Sequence, residues 1–399
     1  MNLLEHKTGR SLIAFAFYFT EGAPIGFIWW AMPTLLRQNG VELDLITSFT
    51  ALLTLPWVFK FLWAPLIDFF RTKYFGYKKW IAWSQLGMCL TLVPLLFIPL
   101  KGNFICWEIL LLLHSLCAAT QDVSVDALVI NVVSKKETGL LNGYMQAGML
   151  LGRSLFGGAA LFFIPMIGLY YTVGIMILTI IAMMSLLFFI KEPLEIVAEN
   201  AKHNTFKNNL LNVFRKRKTW YLLLFALTAG ASFETAGGMC GPFLTDKKLE
   251  LETIGIFFAI PVVGSMLIGG FIGGVLSDRL SRINSVSLFL AGGILIIAAI
   301  SVVDILAPFS TVYLWLTLFA GMYLFTGMFT AASYSLFMNA SDPKLGATQF
   351  STFMAATNGC EAWVVYSAGS LAVCHGYAIS FLVMCVISLL SIFLLKKSN

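Results

Sequence analysis

Two aspartates lie four residues apart within an apolar stretch of this chain. Residues 118–131 read AATQDVSVDALVIN and contain Asp122 and Asp126. On an α-helix this spacing places both side chains on one face. Two neighbouring carboxylates repel each other when both are ionised, which favours protonation of one of them, and the two then titrate as a pair. The pair is therefore a candidate for taking up a proton on one side of a barrier and releasing it on the other.

The composition is typical of an integral membrane protein. Hydrophobic residues make up 59% of the 399-residue chain, charged residues only 12%, and the mean hydropathy is +0.85. A soluble protein carries about 25% charged residues. An ionised Asp near the centre of a membrane helix costs about 2.5 to 3.5 kcal/mol on insertion scales. We therefore expect Asp122 and Asp126 to face water, a partner or a proton rather than lipid.

Continuous apolar runs, each long enough to cross about 30 Å of hydrocarbon, predict twelve membrane helices. Such runs favour helices over barrel strands, in which hydrophobic and polar residues alternate. The first six spans are predicted at 11–36, 45–67, 80–100, 104–130, 139–164 and 168–190. The second six are predicted at 219–244, 253–276, 284–305, 309–337, 346–373 and 376–395. A polar, basic segment divides the two sets, which predicts six-helix halves at 1–190 and 219–399 and a central cytoplasmic loop at 191–218.

The positions of Lys and Arg predict the orientation of the chain. With both termini in the cytoplasm, 20 of the 26 Lys and Arg residues lie on the inner side, as the positive-inside rule requires. The net charge of +6 is thereby explained by topology, without nucleic-acid binding. The four on the outer side are Arg37, Lys101, Lys247 and Lys248. Only Lys60 and Arg153 remain inside predicted spans.

Two loop sequences occur once in each half. APLIDFFR at 64–71 corresponds to GVLSDRLSR at 274–282, and SKKETG at 134–139 corresponds to SDPKLG at 341–346. Their offsets of 210 and 207 residues indicate an internal repeat. The positions 207 residues after Asp122 and Asp126 are Phe329 and Ser333, so the repeat itself does not require the acids.

Several of these segments resemble a known family. GVLSDRLSR resembles the loop signature GxxxDRxxR of the major facilitator superfamily. Four further segments are similar to the AmpG-related permeases: VFKFLWAPLID at 58–68, ATQDVSVDA at 119–127, GML at 148–150 and GATQF at 346–350. That family includes muropeptide permeases, RhtX/FptX-type siderophore permeases and acetyl-CoA transporters. The resemblance implies an all-α membrane protein with twelve helices in two halves, located in the cytoplasmic (inner) membrane of a bacterium.

In that superfamily spans 1, 4, 7 and 10 line a central cavity. The resemblance therefore implies that the acids on spans 1, 4 and 7 of this chain face the cavity: Glu21, Asp122, Asp126 and Glu234. These acids, with Gln121, Lys60 and Arg153, are the candidate proton-coupling or substrate-binding residues. The resemblance also implies that the repeated loops form an inner gate. The gating candidates are Asp68, Arg71, Asp278, Arg279 and Arg282.

Structural roles are the alternative for several of these residues. Either Asp of span 4 can pair with Lys60 or Arg153 and only lock helix packing. Lys60 can also pair with Asp68, two turns further along. Glu21 can serve packing or capping beside Gly22 and Pro24, and Glu234 is open to the same interpretation.

The resemblance predicts a proton-driven symporter that imports a bulky polar solute and needs no cofactor. A siderophore is favoured slightly, because Leu128 to Asn131 lack the basic-Asp pattern usual in muropeptide permeases and Gln146 replaces a frequent Arg. Enterobacterial muropeptide permeases also carry two further spans. A muropeptide permease and a uniporter or exporter without proton coupling are the alternatives.

Other classes of protein lack support in the sequence. The chain contains no HExxH, GxSxG or clustered His, so no enzyme active site is predicted, and it contains no nucleotide-binding motif. The seven cysteines are scattered singly, which argues against a disulfide framework or a metal site. The expected partners are the solute, protons and the lipid bilayer, and the expected state is a monomer.

Overall fold

The computed structural model describes residues 2–69, 76–132, 138–191, 217–340 and 346–397. In these ranges the regular structure is helical, and twelve helical spans follow one another. The first six are Lys7–Gln38, Leu43–Leu62, Tyr77–Leu92, Phe104–Val132, 138–167 and Leu169–Phe189. The second six are Arg217–Asp246, 251–279, Arg282–Leu306, Val312–Ala340, Gly346–His375 and Tyr377–Lys397. This order confirms the predicted all-α fold of twelve spans.

Ten of these spans, among the residues the structure describes, are long and apolar enough to cross a membrane. The other two are span 3 and span 11. Span 3 carries Lys78 and Lys79 in its first turn, and span 11 contains many Ser, Thr and Gly residues, so both are less hydrophobic than their neighbours.

The chain forms two compact units. Unit 1 contains Met1–Met32, Phe59–Val197 and Leu251–Ala259. Unit 2 contains Pro33–Val58, Ala198–Glu250 and Ile260–Asn399. The division of the sequence into halves at 1–190 and 219–399 stays a prediction, and most of the predicted central loop, at 192–216, lies outside the described residues.

Small residues in unit 1 bring span 1 and span 5 close together. A Cβ added at Gly22 would lie 2.1 Å from the carbonyl oxygen of Met149, and one at Gly152 would lie 2.5 Å from that of Phe19. Only glycine fits where two helix backbones approach so closely. This packing fixes span 1, and with it the acid Glu21.

Unit 2 uses the same device between span 8 and span 10. A Cβ at Gly269 would lie 2.0 Å from the carbonyl oxygen of Leu324, and one at Gly273 would lie 2.6 Å from Cα of Met328. The glycine-rich run at 269–274 therefore serves close helix packing.

Three spans contain segments that depart from α-helical geometry. Phe27–Ala31, Ser154–Ala159 and Phe258–Val262 are π-helical. The Ser154 hydroxyl donates to the carbonyl oxygen of Ala259 at 2.7 Å, and the Trp30 ring stacks on Phe258 with centroids 5.2 Å apart. Such segments are frequent at functional sites. In this chain they lie in spans 1, 5 and 8, within or at the border of unit 1.

Candidate proton and solute site

An ion pair joins span 2 to span 4 in unit 1. The α-helix Leu43–Phe59 changes to a single 3₁₀ turn at Lys60–Leu62, and Lys60 Nζ donates from this turn to Asp122 Oδ2. The Asp122 side chain is 6% exposed and the Lys60 side chain 21% exposed. The cation is thus the more accessible partner. Of the alternatives for Lys60, the structure shows pairing with Asp122, whereas the side chain of Asp68 lies outside the described part of the chain.

The second aspartate of span 4 has a different partner. The Tyr18 hydroxyl of span 1 donates a hydrogen bond to Asp126 Oδ1. Tyr18 is buried and Asp126 is half-buried. Tyr18 is not among the candidates predicted from the sequence, although it lies one helical turn before Glu21, on the same face of span 1.

Gln121 holds span 4 against span 1. Its Nε2 donates to the carbonyl oxygen of Phe17 at 3.0 Å and to Oγ1 of Thr20 at 3.1 Å. Gln85 of span 3 donates to the same Thr20 oxygen at 3.2 Å. All of these polar side chains are buried, so their hydrogen bonds offset the free energy of desolvation. The network sets the positions from which Asp122 and Asp126 project.

Glu21 completes a cluster of buried and half-buried ionisable groups in unit 1, which we call the span 4 cluster: Tyr18, Glu21, Lys60, Asp122 and Asp126. Glu21 is 2% exposed and interacts electrostatically with both Tyr18 and Lys60. With every acid ionised, the cluster would hold three negative charges and one positive charge. Burying such an excess of negative charge is unfavourable, so binding of a proton or a cation stabilises the cluster.

The described ranges contain no group of three or more His, Cys, Asp or Glu side chains placed to hold a metal ion. The arrangement suits reversible proton binding by carboxylates that have a cation and a phenol as hydrogen-bond donors.

Two further candidates lie apart from the ion pair. Arg153 of span 5 is half-buried, and its Nε has no hydrogen-bond partner within the described part of the chain. Its Cα faces Gly26 of span 1, where an added Cβ would lie 2.6 Å away. Glu234 of span 7 belongs to unit 2, where a Cβ added at Gly230 would be 3.5 Å from Glu234 Oε1 and 3.6 Å from Cys360 Sγ.

Span 11 contains an acid that is not among the candidates predicted from the sequence. Glu361 lies in the apolar segment GCEAW, and both it and Glu234 interact electrostatically with the Cys360 thiol. An acid within a membrane span is by itself the signal that identifies such a residue.

The gating candidates are described only in part. Arg71 and the side chains of Asp68 and Asp278 lie outside the described residues. Arg279 and Arg282 are exposed, and Arg282 Nε donates to Ser335 Oγ at 3.3 Å.

Unit 2 contains an ion-pair network at the ends of its spans that the sequence analysis also missed. Arg37 Nε lies 2.8 Å and 3.0 Å from the two carboxylate oxygens of Asp246, and the Tyr377 hydroxyl donates to the same carboxylate at 2.7 Å. Beside it, Lys247 Nζ lies 2.5 Å from Asp304 Oδ1. These groups are partly exposed, and they join segments far apart in the chain.

Twelve helical spans that bring ionisable groups together around span 4 are typical of a multi-pass membrane transporter. The sequence matches the family profile described as Major Facilitator Superfamily over residues 11–363, and the chain belongs to this superfamily.

Named relatives narrow the likeness to permeases. The chain is 22% identical to the putative transporter AmpG 4 of Rickettsia conorii, covering 98% of this chain and 97% of the relative. It is 23% identical to the anhydromuropeptide permease of Escherichia coli, covering 94% of this chain and 76% of that protein. The fold is similar to the crystal structure of a D-xylose-proton symporter, with a TM-score of 0.79, 12% identity and coverage of 97% and 96% of the two chains.

Proposed function

We propose that this transporter imports a bulky polar solute together with protons across the inner membrane, with both termini in the cytoplasm. The span 4 cluster carries the proposal, because it groups two buried acids, Glu21 and Asp122, with the half-buried Asp126 and Lys60. A carboxylate in such surroundings changes its protonation state when its access to water changes from one side of the membrane to the other. The energy source is then the proton gradient, without a bound cofactor.

Asp122 and Asp126 are the proposed proton carriers. Asp122 is held by Lys60 and Asp126 by Tyr18, so each carboxylate has a donor that stabilises its ionised form. The mutual repulsion of the two aspartates favours a proton on one of them. We infer that a change in water access determines whether the proton stays on the pair.

Two classes of solute are candidates. A muropeptide comes first, because the relative that is named for its cargo is an anhydromuropeptide permease and the similarity extends over 94% of this chain. A siderophore is the second candidate. Muropeptide permeases usually carry a basic residue and then an Asp after the second Asp of this segment, and residues 128–131 of this chain, LVIN, lack that pattern.

Uptake by proteoliposomes tests the proposal. We expect an inward proton gradient to stimulate uptake of a labelled anhydromuropeptide or of a ferric siderophore, whichever is the cargo, by roughly tenfold or more, since a gradient of one pH unit corresponds to a factor of about ten. Asp122→Asn and Asp126→Asn are expected to remove this stimulation. Glu108→Gln is the matched control, because Glu108 is an acid of the same span outside the cluster.

Equal uptake with and without the gradient would contradict proton coupling and favour the uniporter. Full stimulation in both Asp→Asn variants would contradict the assignment of the proton to span 4, even if the gradient drives transport. Uptake of the siderophore but not of the muropeptide would reverse the order of the two candidate solutes.

A further inference from the structure

Basic side chains meet at the end of unit 1 that carries the N-terminus. They come from the beginning of span 1, the beginning of span 3 and the end of span 6, and we call them the unit 1 basic surface: Lys7, Arg10, Lys78, Lys79 and Lys191. Glu5, the neighbouring acid in the described part of the chain, accepts a hydrogen bond from Asn2 Nδ2 at 3.1 Å. The five cations outweigh this acid, so the surface is strongly positive.

Hydrogen bonds hold the three span ends together. Lys78 Nζ of span 3 donates to the carbonyl oxygen of Ile190 at 2.9 Å. Asn2, just before span 1, donates from Nδ2 to the Lys191 carbonyl oxygen at 3.1 Å and accepts from the Lys191 N–H at 3.0 Å. Side chains from the same three ends share one buried hydrophobic cluster: Leu3, Leu4, Tyr77, Leu187 and Ile190. The cations therefore project from one ordered surface.

The edge of this surface adjoins exposed apolar side chains. Trp83 lies one helical turn after Lys79, on the same face of span 3, and is 62% exposed. Phe188 lies three residues before Lys191, at the end of span 6, and is 86% exposed. In a chain that spans a membrane such apolar groups face lipid, and lysines beside them extend into the headgroup layer. The boundary between acyl chains and headgroups therefore falls between the two apolar side chains and the cations.

Cations at the beginning of a helix are unfavourable unless an anion neutralises them. The first N–H groups of a helix carry partial positive charge, and neither His6 nor Gly76, the N-cap residues of spans 1 and 3, provides a side-chain hydrogen bond to them. Lys7 and Lys78 add full charges at the same two ends. The predicted orientation accounts for cations on this side of the chain, but not for the hydrogen bonds that hold them together.

We propose that the unit 1 basic surface binds the headgroup of an anionic phospholipid, whose acyl chains lie against Trp83 and Phe188. The phosphate oxygens accept hydrogen bonds from the lysines of spans 3 and 6, which an acceptor with a full negative charge strengthens. A zwitterionic phospholipid binds less tightly, because its headgroup brings a cation of its own. The site lies outside the span 4 cluster, and its occupancy does not depend on which solute is transported.

Native mass spectrometry of the full-length protein tests the site. The protein in non-ionic detergent is titrated with phosphatidylglycerol, with phosphatidylcholine or with inorganic phosphate, and the fraction with bound ligand is measured. We expect the wild type to bind phosphatidylglycerol roughly tenfold more tightly than phosphatidylcholine, or more, since each lysine near an anionic headgroup contributes a factor of about five in affinity. Inorganic phosphate is expected to bind far more weakly, because it lacks the acyl chains.

Variants locate the binding surface. Lys79→Gln/Lys191→Gln is expected to weaken phosphatidylglycerol binding roughly 25-fold, a factor of about five for each lysine. Both side chains are exposed, so the variant is expected to fold, and thermal unfolding in lipid-free detergent checks this. Lys79→Arg/Lys191→Arg is expected to keep the affinity. The matched control is Lys396→Gln/Lys397→Gln, which removes two exposed cations from the end of span 12 in unit 2.

Three outcomes would overturn the inference. The first is equal binding of the two phospholipids by the wild type, or a preference for phosphatidylglycerol that persists in Lys79→Gln/Lys191→Gln. The second is an equal loss of that preference in Lys396→Gln/Lys397→Gln, which would mean that the lipid responds to the net charge of the chain. The third is displacement of phosphatidylglycerol by inorganic phosphate of similar affinity, which would assign the surface to a free anion.

Discussion

The two halves of the sequence repeat carry different side chains at equivalent positions. In span 4 these positions hold Asp122 and Asp126, each bonded to a polar partner. In span 10 they hold Phe329 and Ser333. The Phe329 ring lies 5.3 Å from that of Phe233 in span 7, a distance typical of packed aromatic side chains.

This difference shows what the fold requires and what it does not. Span 10 occupies its place by packing aromatic rings, since Phe329 also lies 6.5 Å from Phe225 between ring centroids. The repeat can therefore be satisfied without any charge at these two positions. The ionisable groups of span 4 add the free energy of burying charge, which is a reason to assign them to function rather than to architecture.

The largest expected effect comes from removing the only cation of the span 4 cluster. Lys60→Gln leaves three acids without it and is expected to lower the free energy of unfolding by about 3 to 5 kcal/mol, the usual cost of breaking one side of a buried ion pair. The loss is expected to shrink at low pH, where protonation neutralises the acids. Chemical unfolding in detergent at several pH values measures both effects.

The control for this prediction is the double variant Lys60→Gln/Asp122→Asn, which is expected to recover most of the lost stability. A loss in the double variant as large as in the single one, or a loss that does not vary with pH, would show that packing of the Lys60 side chain matters more than its charge.

Removing the Tyr18 hydroxyl, which donates a hydrogen bond to Asp126, is expected to have the next largest effect on stability. Tyr18→Phe keeps the ring and deletes one hydrogen bond to a charged group, which is worth about 1.5 to 3 kcal/mol. A double-mutant cycle with Asp126→Asn measures the coupling. Strictly additive effects of the two substitutions would mean that the hydroxyl and the carboxylate do not stabilise each other.

The equivalent position in span 10 is expected to respond differently. Phe329→Leu removes an aromatic pair with Phe233 and is expected to lower stability by about 0.5 to 1.5 kcal/mol. This loss does not depend on pH, and the stimulation of uptake by a proton gradient is expected to stay unchanged. If the proton gradient stimulated uptake less in this variant than in the wild type, proton coupling would depend on span 10 as well as on span 4.

The smallest effect is expected at the helix-end ion pair of unit 2. The side chains of Arg37 and Asp246 are 27% and 32% exposed, so Arg37→Gln is expected to lower stability by only about 0.2 to 1 kcal/mol because water screens the pair. Thermal unfolding at low and high salt measures it. A loss comparable to that of Lys60→Gln would mean that exposure does not separate the two kinds of ion pair.

Much of the architecture could be predicted because it depends on local sequence. Each span is a predominantly apolar stretch, and the twelve predicted spans differ from the observed helices only at their ends. The spacing of Asp122 and Asp126 on one helical face is equally local.

The partners of the acids could not be predicted with the same certainty because they come from distant parts of the chain. Tyr18 and Asp126 are 108 residues apart, and Lys60 and Asp122 are 62 residues apart, so hydropathy alone does not bring them together. For Lys60 the sequence left Asp68 and the aspartates of span 4 as alternatives. The π-helical segments depend on tertiary packing and leave no pattern in the hydropathy.

Proton uptake on solute binding tests the central claim most directly. The purified protein is placed in weakly buffered detergent solution, the cargo is added at saturating concentration, and the change in pH is recorded. The account predicts uptake of about one proton per bound solute by the wild type and by Glu108→Gln, and none by Asp122→Asn, as linkage between the two ligands requires. Solute binding without proton uptake, or the same uptake in Asp122→Asn, would contradict the role assigned to span 4.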